Sequence, residues 1–357
     1  MGKDEQSAYI EEILRKPVKN LYVHFPFCRG KCAYCALHSR AGRSAAECAD
    51  YVAGLCVELA RVCETQAPAG FETVYFGGGS PALCDLRPLF AVLAPHLAPN
   101  AEFTVELHPL DATPDLLAAL SAGGVTRVSM GVQSLDDAAL RQMGRGYTAD
   151  EAARRFGRVR ARFPDAGIDL IVGWPGDGTE QARQWSRLAD WGLRHCSVYS
   201  LILEPDTHLA RQIASGRLQS PDDDKTMDAL RRYADHLAAI GLERYEISNY
   251  AAPGHACRHN LAVWRGEDYL GLGEGAYGRI GRLRTPSGER LSAAEDLKER
   301  TLFRLRTSEG LDTAAFPEWR PALDRNAAQG LLARRGNVYF LTPRGMEVCD
   351  AILAEIV

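Results

Sequence analysis

Three cysteines lie in one short loop that directly follows an apolar run. The loop reads Cys28-Arg29-Gly30-Lys31-Cys32-Ala33-Tyr34-Cys35, and the run is Leu21-Tyr22-Val23-His24-Phe25. The C-x3-C-x2-C spacing gives three thiolates close enough to hold one metal centre, without a fourth. A four-iron cluster held by three cysteines keeps one iron free of protein ligands, and that iron can bind a small molecule. We therefore predict that Cys28, Cys32 and Cys35 hold a [4Fe–4S] cluster.

Two other uses of this loop compete with the cluster. A zinc site would take the three cysteines and His38, because tetrahedral sulfur and imidazole sites suit zinc. The paired C-x-x-C signature that is typical of zinc sites is absent. A loop of free thiols is the second alternative, but three thiols in a polar loop with two basic residues would be exposed to oxidation. The cluster is the favoured interpretation.

Further polar residues come where other apolar runs end. The turn Gly77-Gly78-Gly79-Ser80-Pro81 lets backbone approach a ligand and present N–H groups to a carboxylate. Glu106, Gln133 and Asp169 follow or lie in three later runs, and Asp169 is the most informative because a buried carboxylate is costly without a partner. Each feature alone also fits a structural role, such as a turn or a strand-end hydrogen bond. Together they suit a ligand with an ammonium, a carboxylate and ribose hydroxyls.

The elements that position these residues are short apolar runs separated by helical stretches. Helix starts are indicated by Ser44 with Glu47, by Thr148 with Glu151 and by Thr113-Pro114. Alternating strands and helices imply a parallel sheet, whose ligands collect at the C-terminal strand ends. Six such units predict an α/β fold with a partial (β/α)6 barrel, open on one side. The six predicted strands are Leu21–Phe25, Thr73–Phe76, Phe103–Leu107, Arg127–Val132, Ile168–Val172 and Cys196–Leu203.

The pattern changes past about residue 220. A helix from Met227 to Ile240 and a glycine-rich stretch predict an α+β region, which ends in a winged-helix-like unit. That unit has predicted helices at 294–305 and 322–334, a hairpin around Gly336-Asn337 and a last helix from Thr342-Pro343. The expected domains are an N-terminal extension at 1–18, the partial barrel at 19–220 and a C-terminal domain at 221–357, winged-helix-like from about 294.

Composition excludes several classes of protein. The 357 residues are 46% hydrophobic and 25% charged, as in globular proteins, and the net charge of −4 lacks the basic footprint of a nucleic-acid binder. No apolar stretch is long enough for a membrane span, and the polar N-terminus lacks the apolar core of a signal peptide. Ten cysteines without a signal indicate reduced thiols, so we predict a cytoplasmic protein.

With these motifs in order, the chain resembles the radical S-adenosylmethionine superfamily, whose mark is the C-x3-C-x2-C loop. Within it the chain resembles the coproporphyrinogen-dehydrogenase-like branch, and specifically the HemW-type heme chaperones. The likeness extends from about Lys19 to the C-terminus. The segments that carry it are 21–28, 77–81, 131–134, 169–171, 245–250, 258–261 and 268–273.

The resemblance implies a [4Fe–4S] cluster on the three cysteines, with S-adenosylmethionine on the fourth iron. An electron from the reduced cluster would cleave the sulfonium, so an electron donor is an implied partner. The cofactor does this chemistry, while the protein supplies position and a dry pocket. The positions that match the family's S-adenosylmethionine contacts are Tyr22, Tyr34, Gly78, Gly79, Ser80, Glu106, Gln133, Arg145 and Asp169.

HemW-type chaperones also carry an H-N-x-x-Y-W motif proposed to meet heme. This chain reads His259-Asn260-Leu261-Ala262-Val263-Trp264, so Val263 stands where the family has tyrosine. The resemblance implies heme contacts by His259, Asn260 and Trp264, and imidazole is a competent ligand of heme iron. The alternative is a structural His-Asn pair that holds a turn. Implied partners are heme as cargo and heme-accepting apoproteins such as respiratory enzymes.

Two functions are compatible with these motifs. One is a heme chaperone that binds the cluster, S-adenosylmethionine and heme, and delivers heme to acceptor proteins. The other is an oxygen-independent coproporphyrinogen III dehydrogenase, which decarboxylates two propionates, or another tetrapyrrole-modifying relative. Such dehydrogenases carry a fourth cysteine two residues past the third, where this chain has Leu37, and are typically longer at the N-terminus. Both differences favour a heme-transfer protein over the dehydrogenase.

Overall fold

One twelve-stranded sheet organises most of the molecule. The computed structural model describes residues 16–67, 69–175, 185–314 and 316–356. Residues 1–15 of the predicted N-terminal extension therefore lie outside the described residues. No helix in the described part of the chain combines the length and the apolar character that crossing a bilayer requires.

The strands and helices are numbered in chain order. The strands are β1 (Asn20–Phe25), β2 (Phe27–Cys28), β3 (Arg40–Ala41), β4 (Phe71–Gly78), β5 (Leu97–Leu107), β6 (Arg127–Gln133), β7 (Asp165–Val172), β8 (His195–Ser200), β9 (Glu243–Arg244), β10 (Asn249–Ala251), β11 (Tyr269–Leu272), β12 (Gly278–Ile280), β13 (Leu283–Thr285), β14 (Glu289–Arg290), β15 (Leu311–Asp312), β16 (Leu332–Arg335) and β17 (Val338–Leu341). The helices are α1 (Ala45–Gln66), α2 (Arg87–Leu93), α3 (Pro114–Ala122), α4 (Asp137–Met143), α5 (Ala149–Arg162), α6 (His208–Ala214), α7 (Asp223–Ala239), α8 (Arg258–Trp264), α9 (Ala293–Leu305), α10 (Arg320–Ala328), α11 (Pro343–Glu347) and α12 (Cys349–Ile356). Short 3₁₀ helices span Pro81–Leu83, Ala94–His96, Pro109–Asp111, Trp185–Trp191 and Pro317–Trp319.

The parallel part of the sheet confirms the predicted α/β partial barrel. Its strand order is β14-β13-β12-β11-β1-β4-β5-β6-β7-β8-β10-β9, and every pair from β11 to β8 is parallel. All six predicted runs form strands. The last of them, β8, ends at Ser200 instead of Leu203, and Ser200 pairs with Val172, the last residue of β7. The edge strands β14 and β9 do not pair with each other, so the barrel is open.

A seventh parallel strand comes from the glycine-rich stretch. Strand β11 pairs with β1 from Asn20 opposite Tyr269 to Val23 opposite Leu272. The antiparallel strands β12, β13 and β14 extend the sheet on that side, while β10 and β9 extend it beyond β8. The sheet thus continues through residues on both sides of position 220, and the domain boundary there stays a prediction.

Helix caps explain where the covering helices begin. Ser44 and Glu47 form the predicted capping box at α1. The Thr148 and Thr113 side chains accept backbone N–H groups at the starts of α5 and α3, and Pro114 occupies the first turn of α3. The helices bury their apolar faces against the sheet in one continuous core, in which Leu59 and Phe156 are almost inaccessible to solvent.

The last part of the chain forms a second core. It contains α9, α10, the β15-β17-β16 sheet, α11 and α12, as expected for a winged-helix-like unit. The predicted hairpin at Gly336-Asn337 is confirmed. The predicted helix at 322–334 is wrong in its second half, because α10 ends at Ala328, Gly330 turns the chain at φ 74°, and Leu332–Arg335 pairs with β17.

Candidate functional site

A cavity of about 990 Å³ opens at the C-terminal ends of the parallel strands. Pockets for small molecules hold roughly 300–1,000 Å³, so this cavity has room for more than a compact metabolite. The predicted cluster and S-adenosylmethionine residues that line it are Cys28, Cys32, Cys35, Tyr34, Gly78, Gly79, Ser80, Glu106, Gln133, Arg145 and Asp169. Tyr22 is not among the lining residues; its hydroxyl bonds to Nδ1 of His24 at 2.9 Å.

The cysteine loop is anchored at both ends and in its middle. Cys28 ends β2, which pairs with β3, and the Ala33 N–H donates to the Met143 carbonyl at 3.1 Å. Burial raises the pKa of Cys28, and neighbouring thiolate charge at Cys35 adds to the rise. All three loop cysteines are free thiols. In the described residues no group of three potential metal-binding side chains stands already assembled.

Arg145 supports the loop from the opposite side of the cavity. Its guanidinium donates to Sγ of Cys32 at 3.2 Å, to the Gly131 carbonyl at 2.7 Å and to the Tyr147 hydroxyl at 2.9 Å. The contact from the guanidinium fixes the position of the Cys32 sulfur within the loop. This geometry suits a metal site at Cys32.

The fourth ligand of the zinc alternative is occupied elsewhere. His38 is not among the residues that line the cavity, and its Nε2 bonds to Glu274 Oε1 at 3.0 Å. The backbone carbonyl of His38 bonds to Nε2 of His24 at 2.8 Å. The cysteine loop therefore offers three sulfurs without His38 as a fourth ligand, and soft thiolates suit an iron–sulfur cluster.

The glycine turn differs from the prediction in one respect. The Gly78 N–H donates to Glu106 Oε2 at 3.0 Å, and the N–H groups of Gly79 and Ser80 donate to backbone carbonyls at 2.7 and 2.6 Å. The expectation that these N–H groups face a ligand carboxylate is therefore wrong, because the protein itself already satisfies them. The Ser80 hydroxyl has no partner in the described part of the chain and faces the cavity.

The glycines are needed for close packing around Glu106 and His24. A Cβ on Gly77 would lie 2.9 Å from the carboxyl carbon of Glu106. A Cβ on Gly78 would lie 2.5 Å from the His24 ring, and the backbone of Gly78 has a φ of 104°. Real Cβ atoms do not approach other atoms so closely. The turn thus lets the Glu106 carboxylate lie against the backbone.

Two half-buried carboxylates face the cavity from strands β5 and β7. Burial raises the pKa of Glu106 to about 7, and the charge of Asp169 adds to this, although the Tyr75 hydroxyl donates to Glu106 at 2.9 Å. Burial also raises the pKa of Asp169, whose two oxygens accept from the Ser129 hydroxyl at 3.0 and 3.1 Å. Such carboxylates can accept hydrogen bonds from ammonium or ribose hydroxyl groups and stabilise a cation.

Gln133 occupies a backbone conformation that is uncommon for its residue type. Its φ is 70°, at a point where the register between β6 and β7 shifts after Gly131. A non-glycine residue in the left-handed region is strained, and such residues cluster at functional sites. A Cβ on Gly131 would lie 2.7 Å from Nε2 of Gln133. The irregularity turns the Gln133 amide toward the cavity.

Sequence reasoning missed the floor of the cavity. Arg127, Ser129, His195 and Ser197 line it, and Arg127 lies six residues before Gln133 on β6, about 20 Å deeper. Arg127 is buried, and Nε of its guanidinium has no hydrogen-bond partner within the described residues. The alternation of side chains along β6 could have predicted these residues, because it places Arg127, Ser129 and Gln133 on the same face of the strand.

The predicted heme residues are not gathered in one place. Asn260 lines the cavity, but His259 is only 4% exposed, and burial lowers its pKa to about 4. Nδ1 of His259 bonds to the Thr73 hydroxyl at 2.8 Å. The Trp264 ring packs edge-on against Phe303 instead of lining the cavity.

The residues present fit a cluster with a cationic nucleoside beside it. Three thiols supply soft ligands, Glu106 and Asp169 supply negative charge, and Arg145 supplies a fixed positive charge beside the cysteine loop. Three glycines of the lining, Gly30, Gly144 and Gly146, have open space where a Cβ would stand, so the wall there has room for a ligand.

Comparisons with known proteins show the family of this chain. The family described as "Radical SAM superfamily" matches residues 22–189, which include the cysteine loop and both carboxylates. Heme chaperone HemW of Mycobacterium tuberculosis is 31% identical over 94% of each chain. Heme chaperone HemW of Escherichia coli is 30% identical over 96% of this chain and 98% of that protein.

A mitochondrial relative and a solved structure extend the comparison. The mouse "Radical S-adenosyl methionine domain-containing protein 1, mitochondrial" is 35% identical over 79% of this chain and 67% of its own length. The structure of coproporphyrinogen III oxidase (HemN) from Escherichia coli superposes with a TM-score of 0.83 and 21% identity, over 100% of this chain and 93% of that one. That likeness shows the shared fold. A radical SAM domain implies a [4Fe–4S] cluster and S-adenosylmethionine, and the chain belongs to the radical S-adenosylmethionine superfamily and, within it, to the HemW family.

Proposed function

We propose that this protein binds a [4Fe–4S] cluster, S-adenosylmethionine and heme, and delivers heme to acceptor proteins. The observation that carries the proposal is a single cavity lined by the three-cysteine loop and by Glu106, Arg145 and Asp169. The partners we propose are an electron donor for the cluster and heme-accepting apoproteins such as respiratory enzymes. We place this activity in the cytoplasm.

Cys28, Cys32 and Cys35 would hold the cluster. When bound, a reduced cluster supplies the electron that cleaves the sulfonium of S-adenosylmethionine. The contact from Arg145 holds the Cys32 sulfur, and the hydrogen bond from Ala33 to Met143 anchors the loop that carries the three sulfurs. The chain supplies three ligands here, so one position of a four-iron cluster is left for the nucleoside.

The remaining residues would orient S-adenosylmethionine. Glu106 and Asp169 face its positive charge and its hydroxyl groups, while Ser80 and Gln133 supply neutral hydrogen-bonding groups. Arg145 supplies a fixed positive charge near the carboxylate, because each of its three nitrogens already donates to a protein atom. Tyr34 packs edge-on against Trp174, which closes the wall beside the loop. Tyr22, Gly78 and Gly79 belong to the same proposed set. Gly78 holds the Glu106 carboxylate through its N–H group, and the Tyr22 ring contacts Tyr75 on the neighbouring strand.

Heme as cargo is inferred from the HemW relatives. The contacts predicted for His259, Asn260 and Trp264 stay a prediction. The Thr73 hydroxyl donates to Asn20 Oδ1, so it accepts from Nδ1 of His259, and Nε2 of that ring is left unprotonated. That tautomer is the one a metal-ligating histidine needs. The ring is nevertheless buried, so iron ligation would require α8 to move.

Oxygen-independent coproporphyrinogen III dehydrogenation is the second candidate. The HemN-like fold favours it, since the whole chain superposes on that enzyme. Leu37 argues against this function. The dehydrogenases have a fourth cysteine at this position, whereas this chain has an exposed apolar side chain.

Anaerobic reconstitution with iron and sulfide, followed by hemin titration and an assay with coproporphyrinogen III, separates the two candidates. We expect a bound iron–sulfur cluster, tight hemin binding, transfer of heme to an apo-heme protein and no decarboxylation. Turnover of coproporphyrinogen III together with weak hemin binding would overturn the proposal in favour of the dehydrogenase. A protein that binds neither hemin nor coproporphyrinogen III would contradict both candidates.

A further inference from the structure

Exposed apolar side chains gather at the mouth of the cavity. Leu37 is 57% exposed and Ile202 is 71% exposed, and Tyr199 and Leu203 are each 40% exposed. Leu37, Tyr199 and Ile202 line the same cavity, and Leu203 follows Ile202. Single exposed apolar residues are ordinary, but a group at the rim of a cavity indicates a binding surface. We call these four residues the mouth patch.

The mouth patch is built from two loops that contact each other. Leu37 belongs to the cysteine loop between β2 and β3, and the other three residues come at and after the end of β8. The N–H of Leu209 donates to the Ala33 carbonyl at 2.8 Å, which ties the segment after β8 to the cysteine loop. Leu201 also packs in the same small apolar cluster as Tyr34. The patch is thus held beside the predicted cluster ligands.

Charge is distributed unequally around the patch. On the side of the cysteine loop, Nζ of Lys31 bonds to the Leu37 carbonyl at 2.6 Å and to the Ser39 hydroxyl at 2.8 Å, and it has no carboxylate partner among the residues that the structure describes. On the β8 side, the exposed Glu204 follows the apolar run and lines the cavity. A ligand with its negative groups on one edge fits this arrangement in one orientation only.

We propose that the mouth patch receives the heme macrocycle, with the propionates toward Lys31; this inference rests on the proposed heme function. Heme presents a flat apolar ring whose two carboxylates lie on one edge. The four apolar side chains match the ring, and the exposed ammonium of Lys31, which has no carboxylate partner within the described residues, matches the propionates. This places heme next to the cysteine loop, at the opposite end of the barrel strands from the buried His259.

The first test compares two substitutions of equally exposed aliphatic residues. Val57 is 75% exposed on α1 and does not line the cavity, so Val57→Asp is the matched control for Ile202→Asp. Hemin is titrated into anaerobically reconstituted full-length protein, with iron content and thermal unfolding checked for each variant. Ile202→Asp is expected to weaken hemin binding by about tenfold or more, because it removes apolar contact and adds a charge. Val57→Asp is expected to bind hemin like the unsubstituted protein.

The second test concerns the propionates. Lys31→Gln should weaken binding of hemin several-fold and leave binding of hemin dimethyl ester unchanged, since the ester carries no propionate charge. An equal loss for both ligands would overturn the assignment of Lys31.

The outcomes separate this inference from the proposed function. If the unsubstituted protein binds no hemin, the proposed heme function fails. If it binds hemin and Ile202→Asp binds equally well, the mouth patch is not the heme site, whether or not His259→Ala loses binding. If Ile202→Asp keeps its hemin affinity but no longer transfers heme to an apoprotein, the patch docks the acceptor instead, which also overturns the inference.

Discussion

At the scale of single residues, the position of Glu106 depends on the absence of a side chain at Gly77. The glycine lets the carboxylate lie where a Cβ would stand, and Gly78 and Tyr75 then donate hydrogen bonds to it. The same carboxylate has a pKa near neutrality because it is buried close to Asp169. Two predictions test these features.

Gly77→Ala should displace Glu106 and weaken binding of S-adenosylmethionine by about ten- to a hundredfold, which is the loss of one charged hydrogen bond. Gly54→Ala is the matched control, because Gly54 lies within α1 with nothing within 4 Å of the added Cβ. That control should raise the free energy of unfolding by about 0.5–1 kcal/mol and leave ligand affinity unchanged. Anaerobic calorimetry and thermal unfolding measure both quantities. Equal affinities for the two variants would refute the role of Gly77.

The affinity for S-adenosylmethionine should rise with pH through about 7, the pKa of Glu106 in the free protein. The ionised carboxylate attracts the cationic ligand, whereas the protonated form does not, so affinity is lost as pH falls below that value. The limiting slope is about tenfold per pH unit. Glu106→Gln should bind more weakly and show a much flatter profile between pH 6 and 8. An unchanged slope in Glu106→Gln would assign the titration to another group.

At the scale of elements, helix α8 is fastened to the floor of the barrel by its first residues. The backbone N–H groups of Arg258 and His259 donate to Glu102 at 2.9 and 3.0 Å, and the His259 ring bonds to Thr73. A carboxylate at a helix N-terminus is stabilising, and a buried bond is costly to break. His259 therefore has a structural role, which is to hold the start of α8 against the sheet, independent of any contact with heme.

His259→Ala should lower the free energy of unfolding by about 1–3 kcal/mol, because the buried Thr73 hydroxyl loses its donor. The loss should be larger at pH 7.5 than at pH 5. The pKa of His259 is about 4 when folded, against an ordinary value of 6.5, so the unfolded chain binds the proton more readily and the histidine's contribution to stability falls as pH drops through 6.5. His208→Ala, at an exposed position, is the control and should change stability little. A stability equal to that of the control would contradict the structural role.

At the scale of the whole molecule, the sequence predicts the parallel strands and the mouth of the cavity better than its floor. Apolar runs of β-branched residues identify strands that are buried on both faces, and polar residues after them mark the ligand end. Strand β11 escaped prediction because it is short, contains Gly271 and finds its partner β1 far away in the chain. Arg127 and His195 escaped because a polar residue at the start of a strand looks like an ordinary solvent-facing end.

The sheet and the cavity are built from segments that lie far apart in the sequence, and no local sequence pattern shows that these segments meet. The sheet draws strands from residues 20 to 290, and the cavity draws lining residues from Cys28 to Asn260. Only the order of motifs along the whole chain indicated that these segments belong to one site.

The central claim is that three thiolates hold a cluster with one iron open to S-adenosylmethionine. Electron paramagnetic resonance of the reconstituted and reduced protein, recorded with and without S-adenosylmethionine, tests it most directly. We predict a reduced four-iron signal that changes when S-adenosylmethionine is added and is lost in Cys32→Ala. Bound zinc in place of iron and sulfide, or a cluster signal that S-adenosylmethionine leaves unchanged, would contradict the account.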